Sequence, residues 1–531
     1  MPAAAAPAAP ARRRPPVLLG LVAAAVAALV CLPLAYLAIR AGGGGADAWD
    51  VLWRERTGAL VGRTVVLVGT VTAAAVAIGV PLAWLVTRTD LPGRRLWAVA
   101  AALPLVIPSY VTALALLSAF GAGGVIEGVP DITGFAGAFA ALTLATYPYV
   151  FLLSAGALRQ LDGSLEEASR ALGRTRTYTF FRVTLPVIRP SVAAGALLVA
   201  LYAISDFGVV SLMRYDVLTR AVFQQYRSLF DRTPAAVLGL LLVALTILVL
   251  LLEARARGRA RVASSSRGSP REATPVELGR WRWPALAVCA TVVSAALVLP
   301  VGVLVYWVTR GVEADTIDAM WLAAGNSLVA SGLAAAAAIA AALPVAALAV
   351  RHPARWTRAL ERTSYASNAL PGIVIALSLV FFAANYASPI YQTLALLVIA
   401  YVVRFFPQAL AGTHGALLRV DPRLEEAARG LGRTPRGAFA SITVRLIAPG
   451  LLAGATLVFL SAMKELPATL LLRPIGFETL ATEVWSATGV GSYSQAAVPA
   501  LVLIVLAAPV VWLLIARPGP STAPVAADPP E

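Results

Sequence analysis

Apolar runs of roughly 20 residues alternate with short polar segments along almost the whole chain, and a run of that length spans a bilayer core as a helix. The runs fall at 17–39, 63–87, 96–120, 135–157, 187–212 and 235–252. They resume at 284–308, 325–350, 366–384, 389–411, 446–463 and 495–516. The pattern predicts an all-α polytopic membrane protein with about 12 transmembrane helices in two tandem six-helix sets. The first run is longer than the apolar core of a signal peptide and reads as a retained anchor.

Two of the polar segments are copies of one another. Residues 162–198 match 421–457 at 18 of 37 positions with a fixed offset of 259, which makes the chain an internal duplication. The copying reaches further. Pro148 matches Pro407 at the same offset, and Pro81, Arg88 and Pro108 match Pro344, Arg351 and Pro371 at an offset of 263. Both sets therefore have the same order of spans, and the repeats are parallel.

Each copied segment predicts a short helix, a glycine corner and a second helix. Asp162 and Asp421 are helix N-caps, with Pro422 just inside the second copy. Glu166 and Glu167, like Glu425 and Glu426, lie near the first turn, where the helix dipole favours negative charge. Leu165, Ala168 and Leu172 share one helical face, as do Leu424, Ala427 and Leu431. Gly173 and Gly432 supply the left-handed residue that ends the helix, and Thr175 and Thr434 can cap the next one.

The first copy reads Glu167-Ala168-Ser169, three residues, Gly173, nine residues, then Val183-Thr184-Leu185-Pro186. This resembles the EAA loop of binding-protein-dependent ABC importer permeases. The second copy reads Glu426-Ala427-Ala428, Gly432, then Ile442-Thr443-Val444-Arg445, departing at its end. The resemblance covers roughly 60–255 and 322–515 and implies two permease domains fused in one chain, similar to ferric-iron transport permeases; thiamine permeases share the fused form. It implies that Glu166, Glu167, Ala168 and Gly173, with Glu425, Glu426, Ala427 and Gly432, form ATPase-coupling loops. The implied partners are two ABC ATPase subunits on the cytoplasmic face and an extracytoplasmic substrate-binding protein. The rest of the expected map is a disordered N-terminus (1–16), a first helix with its outer loop (17–59), a basic cytoplasmic linker (256–283), a seventh helix with its outer loop (284–321) and a tail (516–531).

Composition agrees with a membrane protein: 59% of residues are hydrophobic and 13% charged, against about 25% charged in soluble domains. The net charge of +16 raises the question of nucleic acid, but its distribution answers it. With the N-terminus placed inside, 31 arginines fall on inner segments and 8 with Lys464 on outer ones, Arg40, Arg63 and Arg404 lying in or at the ends of spans, so the charge is a topology signal. Both termini and both copied loops are then cytoplasmic, the environment of the spans is membrane lipid, and no nucleic-acid partner is expected. The one lysine, Lys464, lies between Met463 and Glu465, so a Walker A G-K-[ST] is absent. If ATP drives the protein, another subunit binds it.

No catalytic constellation, cofactor motif or metal-ligand spacing is present. Cys31 and Cys289 lie in apolar runs, and His352 and His414 join no Cys/His/carboxylate cluster. Ionisable and polar groups near membrane depth remain as candidates for the translocation path: Asp206, Lys464, Glu465 and Asn368. Their alternative is interfacial snorkelling or helix pairing. A proton-coupled secondary transporter can also have parallel six-span repeats, but it needs intramembrane acids and has no use for two capped loops.

Overall fold

The computed structural model describes residues 16–45, 49–121, 124–126, 128, 131–227, 233–258 and 275–516. The expected disordered N-terminus (all but Pro16), most of the linker and the tail beyond Ala516 lie outside the described residues. Within them the chain is helical, with one isolated parallel β-bridge between Thr89 and Val276. Among the described residues nine helices are long and apolar enough to cross a membrane, or eleven if two bent pairs each count as one span. A shorter apolar helix, Tyr493–Pro509, stands where the twelfth run was expected.

The first half contains α1 (Val17–Gly42), α2 (Glu55–Arg88), α3 (Arg94–Ala102), α4 (Ser109–Phe120) and α5 (Gly134–Gln160). There follow α6 (Ser164–Ala171), α7 (Arg176–Ser205), α8 (Gly208–Leu212), α9 (Leu218–Tyr226) and α10 (Thr233–Gly258). The second half contains α11 (Gly279–Thr309), α12 (Ala314–Arg351), α13 (Arg355–Ser364), α14 (Gly372–Tyr386) and α15 (Leu394–Leu418). It closes with α16 (Pro422–Gly430), α17 (435–463), α18 (Pro467–Leu472), α19 (Leu480–Gly489) and α20 (Tyr493–Ala516).

The runs 96–120 and 366–384, expected as single straight spans, are the two bent pairs. The chain turns by 94° between Arg94–Val106 and Ser109–Phe120, and by 104° between Arg355–Ala369 and Gly372–Tyr386. The cause is the repeated proline. A proline disfavours helix at the residue before it, and Ile107 and Leu370 are accordingly extended, at ψ 121° and 113°. The carbonyls of Pro108 and Pro371 then accept the first hydrogen bonds of α4 and α14.

Two compact units cut across the sequence halves. Of the described residues, one contains those within 1–54, 222–244 and 325–479, and the other those within 55–221, 245–324 and 480–531. Each unit is thus built on the central spans of one half and takes a first and a last span from the other. In the first unit α1 packs along α13 and α14, where Ser378 Oγ donates to the Pro33 carbonyl (2.7 Å) and Tyr36 Oη to the Phe381 carbonyl (3.3 Å). In the second unit α11 packs on α4 and α20.

The central spans approach closely through small residues, as membrane helices do without a hydrophobic drive between them. A Cβ on Gly79 of α2 would lie 2.9 Å from the Phe151 backbone nitrogen of α5, and one on Gly195 of α7 would lie 2.8 Å from Val150 Cα. Gly454, the repeat partner of Gly195, meets Gly412 Cα at 3.6 Å by the same measure. Substituting Gly195→Val is expected to cost about 2 kcal/mol or more by overpacking. It should unfold earlier in detergent, while Gly302→Val, whose Cβ meets nothing within 4 Å, should unfold with the parent. Equal unfolding of the two variants would contradict the packing.

Candidate functional site: two capped loops and two bends

The expected helix, glycine corner and helix are present twice. Asp421 is the N-cap expected, its Oδ1 accepting the Arg423 N–H (2.9 Å), whereas in the first copy Gly163 is the N-cap and Asp162, one residue before it, accepts the Ser164 N–H with Oδ1 (3.0 Å). At the far end the N–H groups of Gly173 and Arg174 bond the carbonyls of Arg170 and Ser169. Those of Gly432 and Arg433 bond Arg429 and Ala428. This closure requires a left-handed residue, and Gly173 and Gly432 have φ of 76° and 85°. Thr175 Oγ1 and Thr434 Oγ1 then cap the next helix by accepting the Tyr178 and Gly437 N–H groups.

The two glutamates of each loop have opposite destinations. Glu166 and Glu425 are 8% and 7% exposed and turn inward. Thr184 Oγ1 donates to Glu166 Oε1 (2.8 Å), and Arg88 Nε lies 3.9 Å from the same oxygen. The Arg88 guanidinium also donates to the carbonyls of Leu158 (2.7 Å) and Leu161 (2.9 Å), which end α5. In the second copy Arg351 and Thr443 both donate to the Glu425 carboxylate. Thr184 and Thr443 reach these positions from π-helical turns at Phe180–Thr184 and Phe439–Thr443. Each loop is therefore tied at its base to the end of a long span and to the helix that follows.

Burial alone raises the pKa of the Glu425 carboxyl. Hydrogen bonds from Arg351 and Thr443, with the charges of Arg351 and Arg429, outweigh burial and hold it below the ordinary carboxylate value. A depressed carboxylate contributes stability above its unfolded pKa of about 4.3 and loses it as pH falls through the folded value.

Glu167 is half-buried, and Glu426 is exposed. Ala168 and Ala427 are exposed, and Leu172 and Leu431 are 81% and 87% exposed. With Leu165 and Leu424 they make the apolar stripe of each loop face outward. Ser169, which departs from the motif, is buried and hydrogen-bonded to Thr179 Oγ1 (2.9 Å), stapling α6 to α7.

Asp206 lies at the break between α7 and α8. Its carboxylate accepts the Ser109 hydroxyl (2.7 Å) and the Val209 N–H (2.9 Å), and Tyr202 Oη donates to Ser109 (3.0 Å). Ser109 is the first residue after the Pro108 bend, so Asp206 joins one helix break to another. Glu465 is its repeat partner at offset 259, and Gly372 is that of Ser109 at offset 263. Glu465 Oε1 would lie 2.6 Å from a Cβ on Gly372, and Arg404 Nε 3.3 Å from the same point. Arg404 Nη1 donates to the Leu370 carbonyl at the second bend (2.5 Å). Lys464 is half-buried beside Glu465, and Asn368 is exposed in the turn before the bend. The structure thus sets both carboxylates against proline bends. Arg88, Arg351, Thr184 and Thr443 carry structural roles that the sequence pattern left unassigned, although each pair recurs at the repeat offset.

The described residues form a polytopic helical membrane protein that carries two copies of one capped, outward-facing loop. The sequence pattern of the family described as "Binding-protein-dependent transport system inner membrane component" matches twice, at 75–262 and 335–516, and the chain belongs to that family. It is a multi-pass inner-membrane protein of fused two-half form. It is 33% identical over 508 residues to the Fe(3+)-transport system permease protein FbpB 2 of Haemophilus influenzae, covering 94% of this chain and 98% of that one. Against the ferric transport system permease protein FbpB of Actinobacillus pleuropneumoniae the identity is 24% over 84% of this chain and 69% of that one. The molybdate/tungstate transport system permease protein WtpB of Pyrococcus abyssi matches at 29% over 31% of this chain and 66% of its own.

Replacing Glu425 by Ala leaves Arg351 without its carboxylate, and breaking such a largely buried pair costs about 3 kcal/mol. Limited proteolysis should then cut the 421–443 loop sooner. Lowering the pH well below the unfolded carboxylate value of about 4.3, through the folded value of Glu425, should loosen the parent loop in the same direction and leave Glu425→Gln unchanged, since its amide does not titrate.

Proposed function

We propose that the chain is the permease of an ATP-driven importer that moves ferric iron from an extracytoplasmic binding protein across the cytoplasmic membrane. The similarity to ferric permeases, spanning nearly all of both chains, supports iron as cargo. The match to a molybdate/tungstate permease covers only 31% of this chain and so bears on the class, not the cargo. The repeat halves, 60–255 and 322–515, are the two permease domains, and the arginine bias supports cytoplasmic N- and C-termini.

The observation that carries the coupling role is the outward apolar stripe on each loop. Leu172 and Leu431 are almost fully exposed on short, rigidly capped helices, and an exposed apolar patch rimmed by charge suits a protein partner. Two ABC ATPase subunits are the partners: each takes one loop into a surface groove, with Glu167 and Glu426 at the rim. Glu166 and Glu425 act within the loops as their anchors. ATP binding and hydrolysis take place in those subunits. Asp206 and Glu465 lie along the translocation path at the bends, with Lys464 and Asn368 near the second. The path contributes polar contacts, and tight ferric coordination belongs to the binding protein.

Uptake in proteoliposomes with the ATPase and binding protein should accumulate labelled Fe(III) only with ATP, and labelled thiamine not at all. Thiamine accumulation would overturn the cargo, and uptake driven by a proton gradient would overturn the mechanism. Gly173→Pro and Gly432→Pro, which cannot adopt positive φ, should each abolish stimulation of the ATPase while inserting normally. Full stimulation in either variant would remove the docking role.

A further inference from the structure

The segment that emerges from the linker between the two halves is bound to the base of the first loop. The Val276 N–H donates to the Arg88 carbonyl (2.8 Å), and the Asp90 N–H donates to the Val276 carbonyl (3.2 Å). The Leu278 N–H donates to Asp90 Oδ1 (2.9 Å), and Arg282 lies 3.8 Å from Asp90 Oδ2. Arg176 Nη1, at the start of the loop's second helix, donates to the Glu277 carbonyl (2.7 Å). Arg88 is the residue whose guanidinium meets Glu166 and the end of α5, so the linker attaches at the anchor itself. One residue after Leu278 the chain enters α11.

The second half lacks the receiving residues. The position matching Asp90 at offset 263 is Pro353, and that matching Arg176 at offset 259 is Pro435. Proline has no N–H to donate and no side-chain polar group, so neither position can make the contacts that Asp90 and Arg176 make. The same two sites are thus built for the contact in one copy and disabled in the other.

We propose that residues 275–278 are a strap that braces the first loop against its own spans, with Asp90 and Arg176 as its positioning residues. The two loops are therefore unequally stiff. A displacement of the first loop passes directly into α11 as well as into α2 and α5, whereas the second, with Pro353 and Pro435 at the matching positions, has its anchor without this strap. For transport this rests on the reading of the loops as ATPase-docking elements, and the strap itself does not.

Amide exchange on the intact permease decides the strap. In Asp90→Ala/Arg176→Ala, exchange at Val276 and Leu278 and across 164–179 should rise about tenfold, the loss expected for one to two net hydrogen bonds. Residues 423–438 should not change. Asp90→Asn/Arg176→Lys keeps an acceptor and a donor and should restore the parental pattern. In the assembled transporter the Ala pair should raise ATP hydrolysed per solute moved severalfold, and the Asn/Lys pair should not. Unchanged exchange in the first loop or an equal rise in both loops would overturn the strap, and raised exchange with unchanged ATP per solute would overturn its part in transport. Failure of the docking reading shows separately, as loops of the parent chain that gain no protection when the ATPase is added.

Discussion

A carboxylate that is nine-tenths removed from water must find cationic and hydroxyl partners, and in this protein that requirement is met at the same place in each half. Glu166 sits among Arg88 and Thr184, and Glu425 among Arg351 and Thr443. The arginine ends a long membrane helix, the threonine opens the fifth span of its half, and the glutamate belongs to the exposed loop. In the first half the same arginine also closes the end of α5. A short amphipathic loop helix is marginal by itself. Anchored in this way, it becomes an extension of several spans at once, and its apolar outer stripe can serve as a handle without folding back onto the membrane domain.

The handles were legible because their signals are local. Asp421, Pro422, Gly432 and Thr434 each act on backbone groups within four residues, so spacing alone places them. The duplication was legible for the same reason, as a comparison of the chain with itself. The fate of the paired glutamates was not. Glu166 and Glu167 are chemically identical neighbours, and the distinction comes from Arg88, far away in sequence, at a position that repeats as Arg351. The bends were missed because a proline in an apolar run serves equally as an in-helix kink or a break. Pro148 and Pro407 stay inside α5 and α15, whereas Pro108 and Pro371 end one helix and start another. The exchange of first and last spans between the compact units rests on packing alone, and no local pattern encodes it.

The two halves keep one plan and vary its chemistry. Asp206 is met by Ser109 at the first bend, while at the second a longer Glu465 occupies the space that Gly372 leaves open and lies beside Arg404. The loops differ likewise in Ser169 against Ala428 and in the residues that receive the strap. Fusion in one chain allows such divergence, since each copy is a distinct segment that can change without the other.

That each handle moves as one body with its own spans is tested most directly by spin labels at Leu172 and Leu153 in one variant, and at Leu431 and Leu333 in another, all exposed positions. Double electron–electron resonance would be recorded on the assembled transporter without nucleotide and with trapped ATP. Distance distributions that stay the same in both states, while transport-competent closure occurs, are the expected result. A shift or broadening on ATP trapping would mean that the handle swings on its base, and that the buried glutamate anchors do not transmit the stroke.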